Sequence, residues 1–401
     1  MPGPLNGITV IDLTTVLMGP FATQHLGDMG ANVIKVEPLK GDVIRYSNQG
    51  RNHGMSNLFL NNNRNKRSIV LDLKKQEGKA VLSKLIQSGD VLVSNVRPQA
   101  MNRLGLSYEA VKKMNAEIIY VSCFGFGQNG PYAKRAAYDD IIQTMVGVPH
   151  LFERAYDEPP KFLPSNFCDR VCGLTAVNAV TTALFYRERT EKGQLIEIPM
   201  YETMVQFLMG DHLGGHTFEP PQGTMGYARI VNPNRKPYKT KDGYLAMLVY
   251  NDKHWATFLT LIDRADLVNQ GIFANVSTRG ANIIEVYGFV REMLLQDTTA
   301  TWLQRLENSD IPHTIVPTLE DILENEHLQA INFFPEYEHP SEGKIRTTAI
   351  PSQWSVSQPN LRLPPPRLGQ HSQAILAEYG YSNQDIEQMV EKGITLLDAG
   401  R

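Results

Sequence analysis

Cysteine is scarce in this chain. Three residues in 401, Cys123, Cys168 and Cys172, are too few for a disulfide framework, and no further cysteine lies near the Cys168 and Cys172 pair to complete a zinc site. The expected compartment is therefore a reducing cytoplasm. A charge excess is also missing: 39 Lys and Arg stand against 42 Asp and Glu, and a net charge of -3 gives no electrostatic case for nucleic acid or an anionic membrane as partner. No stretch reaches the roughly 18 apolar residues that span a bilayer. The opening Met1-Pro2-Gly3-Pro4-Leu5 lacks a basic region followed by an apolar core, so export is not expected either. The turn after the first strand, at Gly19-Pro20, does not have the G-x-G-x-x-G spacing of a dinucleotide site, and no Walker loop or G-x-S-x-G elbow occurs, so neither an NAD-dependent oxidoreductase, a P-loop enzyme nor an α/β-hydrolase is favoured. His212 and His216 have the spacing of a helical metal pair, but Gly214 and Gly215 break the helix between them and no third ligand is evident, so no metal is expected.

What is present is an alternation of strand-like and helix-like segments. Ile8 to Leu13 reads as a strand, Phe21 to Met29 as a helix and Asn32 to Pro38 as a strand, a βαβ unit. Ser68 to Leu73, Gln76 to Gln87, Val91 to Val96, Tyr108 to Met114 and Ile118 to Phe124 continue the pattern. Strands this apolar on both faces belong in a parallel sheet covered by helices. Arg170 to Arg187 reads as a long helix with Gly173, Ala176, Ala179 and Ala183 interleaved, followed by a strand at Leu195 to Met200 and a helix at Tyr201 to Leu213. The fold class expected is α/β, with a large domain over residues 1–213 and 335–401 and a smaller α+β domain over 227–325. Linkers are expected at 214–226, where glycine and proline crowd together, and at 326–334, before a proline-rich zone from Pro335 through Pro366 and a terminal helix from Gln370 to Glu378.

Several polar clusters admit two readings. Asn63-Arg64-Asn65-Lys66-Arg67 is either a solvated surface loop or a phosphate site. Arg97 and Arg103 flank Pro98 after a strand, at the carboxyl end of the sheet, where α/β proteins bind ligands. Gly19-Pro20 sits where the first strand meets the first helix and serves either a tight turn or an approaching anion. Asp169 precedes the long helix, and Tyr138-Asp139-Asp140 opens another helical stretch; each acid is either a helix cap or a functional carboxylate. A carboxylate held at a helix start keeps its charge and orientation, as a nucleophile requires.

Together these segments resemble the class III CoA-transferases, the family that includes carnitine, bile-acid and formyl-CoA transferases. The resemblance is carried by Val10-Ile11-Asp12-Leu13, Gly19-Pro20-Phe21-Ala22 and the run from Leu26 to Pro38, and then by Asn65-Lys66-Arg67-Ser68-Ile69 and Leu71-Asp72-Leu73-Lys74. Asn95 with Arg97-Pro98, Leu104-Gly105-Leu106, Gly125-Phe126-Gly127, Gly130-Pro131-Tyr132, Tyr138-Asp139 and Gly193-Gln194 continue it almost end to end.

The resemblance implies a Rossmann-like large domain and Asp169 as the catalytic carboxylate. It implies CoA contacts at Val16, Leu17, Leu71, Asp72, Leu73, Lys74, Asn95, Val96, Arg97, Arg103, Tyr138 and Asp139. It also implies an interlocked, ring-like homodimer, no tightly bound cofactor, and CoA thioesters and small carboxylates as substrates. Formyl-CoA transferases carry a glutamine after the first strand and a glycine-rich loop in the second domain, where this chain has Leu17 and Leu248-Val249-Tyr250-Asn251-Asp252. Formyl-CoA with oxalate is thereby disfavoured, and a donor such as succinyl-CoA or acetyl-CoA is expected. Arg229, Arg235 and Lys236 are candidates for a distal carboxylate, against the reading as plain surface charge. The rival within this fold, α-methylacyl-CoA racemase, has His before Asp where this chain has Tyr138-Asp139; a non-catalytic CoA-ester-binding protein is the other alternative.

Overall fold

A computed structural model describes residues 3–398 of the chain and divides into two compact units. The first holds the residues through Val146, then Pro164–Gln206, and the chain from His327 onward. The second holds Gly147–Leu163 and Phe207–Glu326.

The first unit is built on six parallel strands: β1 (Thr9–Asp12), β2 (Asn32–Glu37), β3 (Lys66–Val70), β4 (Val91–Ser94), β5 (Ile119–Phe124) and β6 (Gln194–Pro199). Their spatial order is β3-β2-β1-β4-β5-β6, so the chain steps outward from β1 in one direction and then returns to build outward from β4 in the other. The register sets Val10 beside Val33 on one side and beside Val91 on the other. Val10, Ile11, Ile34, Leu92 and Val121 are fully buried, as expected of strands covered on both faces. An order of this kind leaves a crevice at the carboxyl ends of β1 and β4, where the loops leave in opposite directions.

Five helices of this unit shape the crevice or brace the sheet beneath it: α1 (Met18–Asp28), α2 (Gln76–Ser88), α3 (Pro98–Leu104), α4 (Asp139–Met145) and α5 (Phe167–Thr190). The structure starts α1 three residues earlier than the sequence suggested, because Pro20 is tolerated in a first helical turn, where its missing N–H costs nothing. Helix α5 lies against α1 through Gly173: a Cβ there would stand 2.9 Å from the Phe21 ring and 3.0 Å from the Met18 carbonyl. Gly19 meets the same limit on the other side, since its Cβ would fall 2.3 Å from Thr14 Cβ. The chain's last segment returns to the sheet. Ile375, Leu376, Ile386, Met389 and Ile394 join Ile11, Ile34, Ile69, Leu82, Leu85 and Leu92 in one core.

The second unit has a three-stranded antiparallel sheet, β7 (Tyr238–Lys239), β8 (Tyr244–Met247) and β9 (His313–Ile315), over a core that includes Trp255, Phe258, Phe273, Val290 and Trp302. Trp302 is buried and its indole N–H donates to the Leu294 carbonyl at 2.9 Å, so the polar end of the ring is satisfied. Back in the first unit, the proline-rich zone contains an antiparallel hairpin of β10 (Glu336–His339) and β11 (Gly343–Arg346). Among the described residues no helix is long and apolar enough to cross a membrane.

The basic run at 63–67 is neither a solvated loop nor an open phosphate site, because most of it is buried and paired. Lys66 Nζ reaches Asp12 Oδ2 at 3.2 Å, Asn63 Oδ1 at 2.8 Å and the Pro20 carbonyl at 2.9 Å. Arg64 forks onto Asp28 at 2.8–3.2 Å, and Asn65 accepts the backbone N–H groups of Arg362 and Leu363. Only Arg67 is partly exposed, paired with Glu378. Removing one partner from such a buried pair costs about 3–5 kcal/mol, because the other charge is left without compensation.

The crowding at Gly19 sets a test of the fold. Gly19→Ala is expected to lose about 1–3 kcal/mol, the usual cost of overpacking, in urea denaturation. An unchanged midpoint would mean that the loop after β1 yields freely.

Candidate functional site

A cavity of about 370 Å³ opens at the carboxyl ends of β1, β4 and β5. Its walls are Thr15 to Met18 after β1, Asn95, Arg97 and Pro98 after β4, Cys123 to Phe126 at the end of β5, Ala133 with Arg135 to Tyr138, and Asp169 with Met200. Two helices begin at its edge, α1 after Leu17 and α3 after Arg97, and neither has a side-chain cap. Their first N–H groups and the positive ends of their dipoles favour an anion there. Arg97 is exposed and Arg135 stacks over Tyr132 at 4.0 Å, so two guanidinium groups stand at the same rim. Such a wall suits phosphate or carboxylate.

The loop after β1 is held in a costly conformation. Val16 has φ of 69°, a left-handed backbone that a β-branched residue rarely adopts. Two neighbours enforce it. Asn95 accepts the Thr15 N–H at 2.9 Å and returns its amide N–H to the Thr15 carbonyl at 2.7 Å, while Asp42 accepts the Val16 N–H at 3.1 Å. Asp42 in turn is fixed by Lys35 at 3.0 Å, and Lys35 also donates to the Thr14 carbonyl. The strained residue thus lines the cavity because a buried ion pair behind it leaves no alternative.

Asp169 is the carboxylate of the cavity. It is not the cap of α5 but its third residue, with Asn166 at the cap position and no side-chain cap of its own. The cap is supplied from α4: Asp139 Oδ1 accepts the Asp169 backbone N–H at 2.9 Å, and its Oδ2 accepts from Gln143 Nε2 at 2.7 Å. Two acids therefore share one helix start. Burial pushes the Asp169 carboxyl up to about 7, the charge of Asp139 adds to the rise, and Arg170 opposes it. Arg170 is itself drawn aside, donating to Asn62 Oδ1 at 2.6 Å and lying 4.4 Å from the Phe21 ring.

The thiols nearby do not compete as nucleophiles. Burial raises Cys168 to about 12, helped by Asp139, Asp169 and Asp140, and burial raises Cys123 to about 12, helped by Asp12. Both stay protonated at neutral pH, when a thiol is a weak nucleophile.

The structure brings Val16, Leu17, Asn95, Arg97, Tyr138 and Asp169 together around this cavity. Asp139 stands behind Asp169. Val96 is half-buried and turned toward the core, and Arg103 is exposed on α3. Leu71, Asp72, Leu73 and Lys74 follow β3, two strands away, where Leu71 is buried and Asp72 Oδ1 accepts the Lys74 N–H. They do not line the cavity. Sequence reasoning missed Arg135, Cys123 and Met200 as lining groups. It also left the role of Glu202 unread: its carboxylate accepts the Gly127 N–H at 2.9 Å and anchors the loop that leads to Arg135.

Comparison with known proteins matches residues 5–372 to the model of CoA-transferase family III. The succinyl-CoA:glutarate CoA-transferase of Mus musculus is 33% identical over 397 residues, covering 98% of this chain and 90% of that protein. The succinate–glutarate CoA-transferase of Agrobacterium fabrum is 31% identical over 385 residues, covering 94% of this chain and 95% of its own. A crystal structure of a CAIB/BAIF family protein from Brucella suis superposes with a TM-score of 0.79 at 29% identity, over 94% of this chain and all of the other.

The elevated carboxyl of Asp169 makes a stability prediction with a definite sign. The folded state holds the proton more tightly than the unfolded chain does, so stability is expected to fall as pH rises from about 4 to about 7 and to level off above. Asp169→Asn removes that loss. In urea denaturation its unfolding free energy should meet the parent's near pH 4 and exceed it at pH 8, by about 2–4 kcal/mol for a shift of this size. Asp139→Asn keeps the acceptor oxygen but removes the neighbouring charge, so it should move the parent's pH midpoint downward. Parallel curves at all pH values would contradict the assignment.

Proposed function

Starting from the fact that this chain belongs to the class III CoA-transferases and is an enzyme of that family, we propose that it moves CoA from a small acyl-CoA donor to a carboxylic acid acceptor through covalent intermediates on Asp169. The observation that carries this reading is the position of Asp169: a half-buried carboxyl on the wall of an anion-favouring cavity, with inert thiols around it.

Ionised Asp169 attacks the thioester carbonyl, forming an acyl-aspartyl anhydride and expelling CoA thiolate. The thiolate attacks the aspartyl carbonyl, which releases the donor acid and leaves an aspartyl-CoA thioester. The acceptor carboxylate attacks that thioester, forming a second anhydride and thiolate again. Thiolate attack on the acceptor carbonyl then gives the new acyl-CoA and restores Asp169, with no net proton exchanged. The uncapped start of α1 offers backbone N–H groups to the developing oxyanions. A carboxyl titrating near 7 is a stronger base than an ordinary aspartate once ionised, and an anhydride survives longer where water is scarce.

The CoA contacts in this reading are Val16, Leu17, Asn95, Val96, Arg97, Arg103, Tyr138 and Asp139, with Leu71 to Lys74 reached by the distal part of the nucleotide. Large apolar side chains stand exposed near the expected second linker and in the proline-rich zone, among them Leu319 at 80%, Ile331 at 55% and Val356 at 72%. These support an interlocked homodimer in which a second copy covers them. The names of the relatives favour succinyl-CoA as donor and a short dicarboxylate such as glutarate as acceptor.

Asp169→Ala is expected to bind acyl-CoA with near-parent affinity and to lose exchange of labelled succinate into succinyl-CoA by at least about 10³-fold. Hydroxylamine should trap residue 169 in the parent incubated with succinyl-CoA. A variant that turns over normally would refute the nucleophile. Deuterium from solvent appearing at C2 of a 2-methylacyl-CoA, with no acceptor present, would indicate the racemase chemistry instead.

A further inference from the structure

A small cavity of about 140 Å³ lies wholly within the second unit and shares no residue with the Asp169 cavity. One wall is a face of the helix Val148–Tyr156, on which Leu151 and Ala155 stand one turn apart and Phe152 and Tyr156 do the same beside them. Another is a turn carrying Ile230 and Val231, whose N–H groups both donate to the Tyr227 carbonyl, at 2.8 and 2.9 Å. His212 and Arg235 complete the lining, which contains no Asp or Glu.

His212 is pinned by the same turn. Its carbonyl accepts the Gly226 N–H at 2.8 Å, and its ring Nδ1 accepts the Tyr227 N–H at 3.4 Å. An imidazole that accepts on Nδ1 carries its proton on Nε2. That Nε2–H has no acceptor among the described residues, although His212 is only 7% exposed. A buried donor without a partner is costly, so the group calls for an acceptor in the cavity. Holding the turn uses only Nδ1 and the carbonyl, and gives no reason for the other end of the ring. Arg235 supplies charge: it is exposed and forms no ion pair or side-chain hydrogen bond among the described residues. Its own carbonyl accepts the Tyr156 hydroxyl at 3.4 Å, which ties the residue to the helix wall, and Lys236 adds a second cation 6.0 Å from the centroid of the Tyr156 ring. The nearby acid Glu158 is already paired with Lys161.

We propose that this cavity is a binding site for a short-chain monocarboxylate, with the carboxylate held by the His212 Nε2–H and the Arg235 guanidinium and the alkyl end against Leu151, Phe152, Ile230 and Val231. Size sets the chain length. At roughly 30 Å³ for each water-sized group, 140 Å³ takes about four to six heavy atoms, the range from acetate to butyrate. A neutral isostere would leave the charge of Arg235 unmatched, and inorganic phosphate would leave the apolar walls unfilled. An acid bound here stabilises the folded second unit by mass action, in the manner of an effector. The site stands on its own lining, whether or not Asp169 carries CoA transfer.

The test uses the full-length protein carrying nitrogen-15 histidine, with butyrate as the probe and butyramide, inorganic phosphate and octanoate as comparisons. Butyrate should move the Nε2 resonance of His212, identified by its loss in His212→Gln, along a saturable curve. Arg235→Gln, a change at an exposed position, should weaken that titration about 10-fold, the loss expected for one charge-assisted hydrogen bond. Ala155→Leu, which fills the cavity, should abolish it, and Asp169→Ala should titrate as the parent does. Butyramide and octanoate should leave the resonance in place. A resonance indifferent to butyrate overturns the proposal, as does equal butyrate affinity in the parent and Arg235→Gln. Inorganic phosphate acting as strongly as butyrate overturns the ligand class, because the apolar walls would then contribute nothing. If Asp169→Ala transfers CoA normally while the His212 titration stands, the proposed function fails and the site remains. Loss of the titration with transfer intact removes the site alone.

Discussion

The site depends on buried charge behind the sheet. Asp12 at the end of β1 is fully enclosed and holds Thr14, Thr23 and Lys66; Lys35 on β2 holds Asp42; Glu37 at the end of β2 holds Arg45 at 2.7 Å. Burial would raise Asp12 and Glu37, and the neighbouring cations outweigh it, so that Asp12 is lowered and Glu37 falls to about 2. Lys66 shows the opposite balance, drawn down to about 8 by burial against the attraction of Asp12. A replacement by apolar residues would pack as well and cost less to desolvate. What the ion pairs supply is direction: they fix the loop from Thr14 to Leu17 in the conformation that opens α1 onto the cavity.

From that frame the electrostatics of Asp169 follow. The same helix start that would keep a carboxylate ionised is already occupied by Asp139, whose oxygen takes the backbone N–H of Asp169. Asp169 is therefore left with burial and a like charge, and both raise its carboxyl toward neutrality. The arrangement costs folding stability above the range in which that carboxyl is protonated. The thiols beside it are raised by the same burial, which keeps them protonated.

The sequence announced much of this through residue type and spacing. Alternating apolar runs gave the parallel α/β sheet, and the strand and helix segments through Phe124 lie within a few residues of those read from the pattern, since strands buried on both faces and amphipathic helices leave distinct periodicities. Tyr108–Met114 falls where the pattern put it. Asp169 drew notice because an acid ahead of a Gly- and Ala-rich helix is either a cap or a functional group. The family resemblance is borne out by the match over residues 5–372.

Sequence by itself determined the fold class, the family and the presence of an acid at the start of the long helix, because each is written in local composition and short-range order. Tertiary structure alone decided how polar groups pair across long separations. The cap of α5 comes from Asp139, thirty residues upstream; the basic run at 63–67 is buried against Asp12, Asp28 and the returning segment at 360–363; and Gly147–Leu163 joins the second unit. Charge in a sequence reads as solvated by default. Only the fold shows whether a partner waits inside, and that is what separates a surface lysine from Lys66.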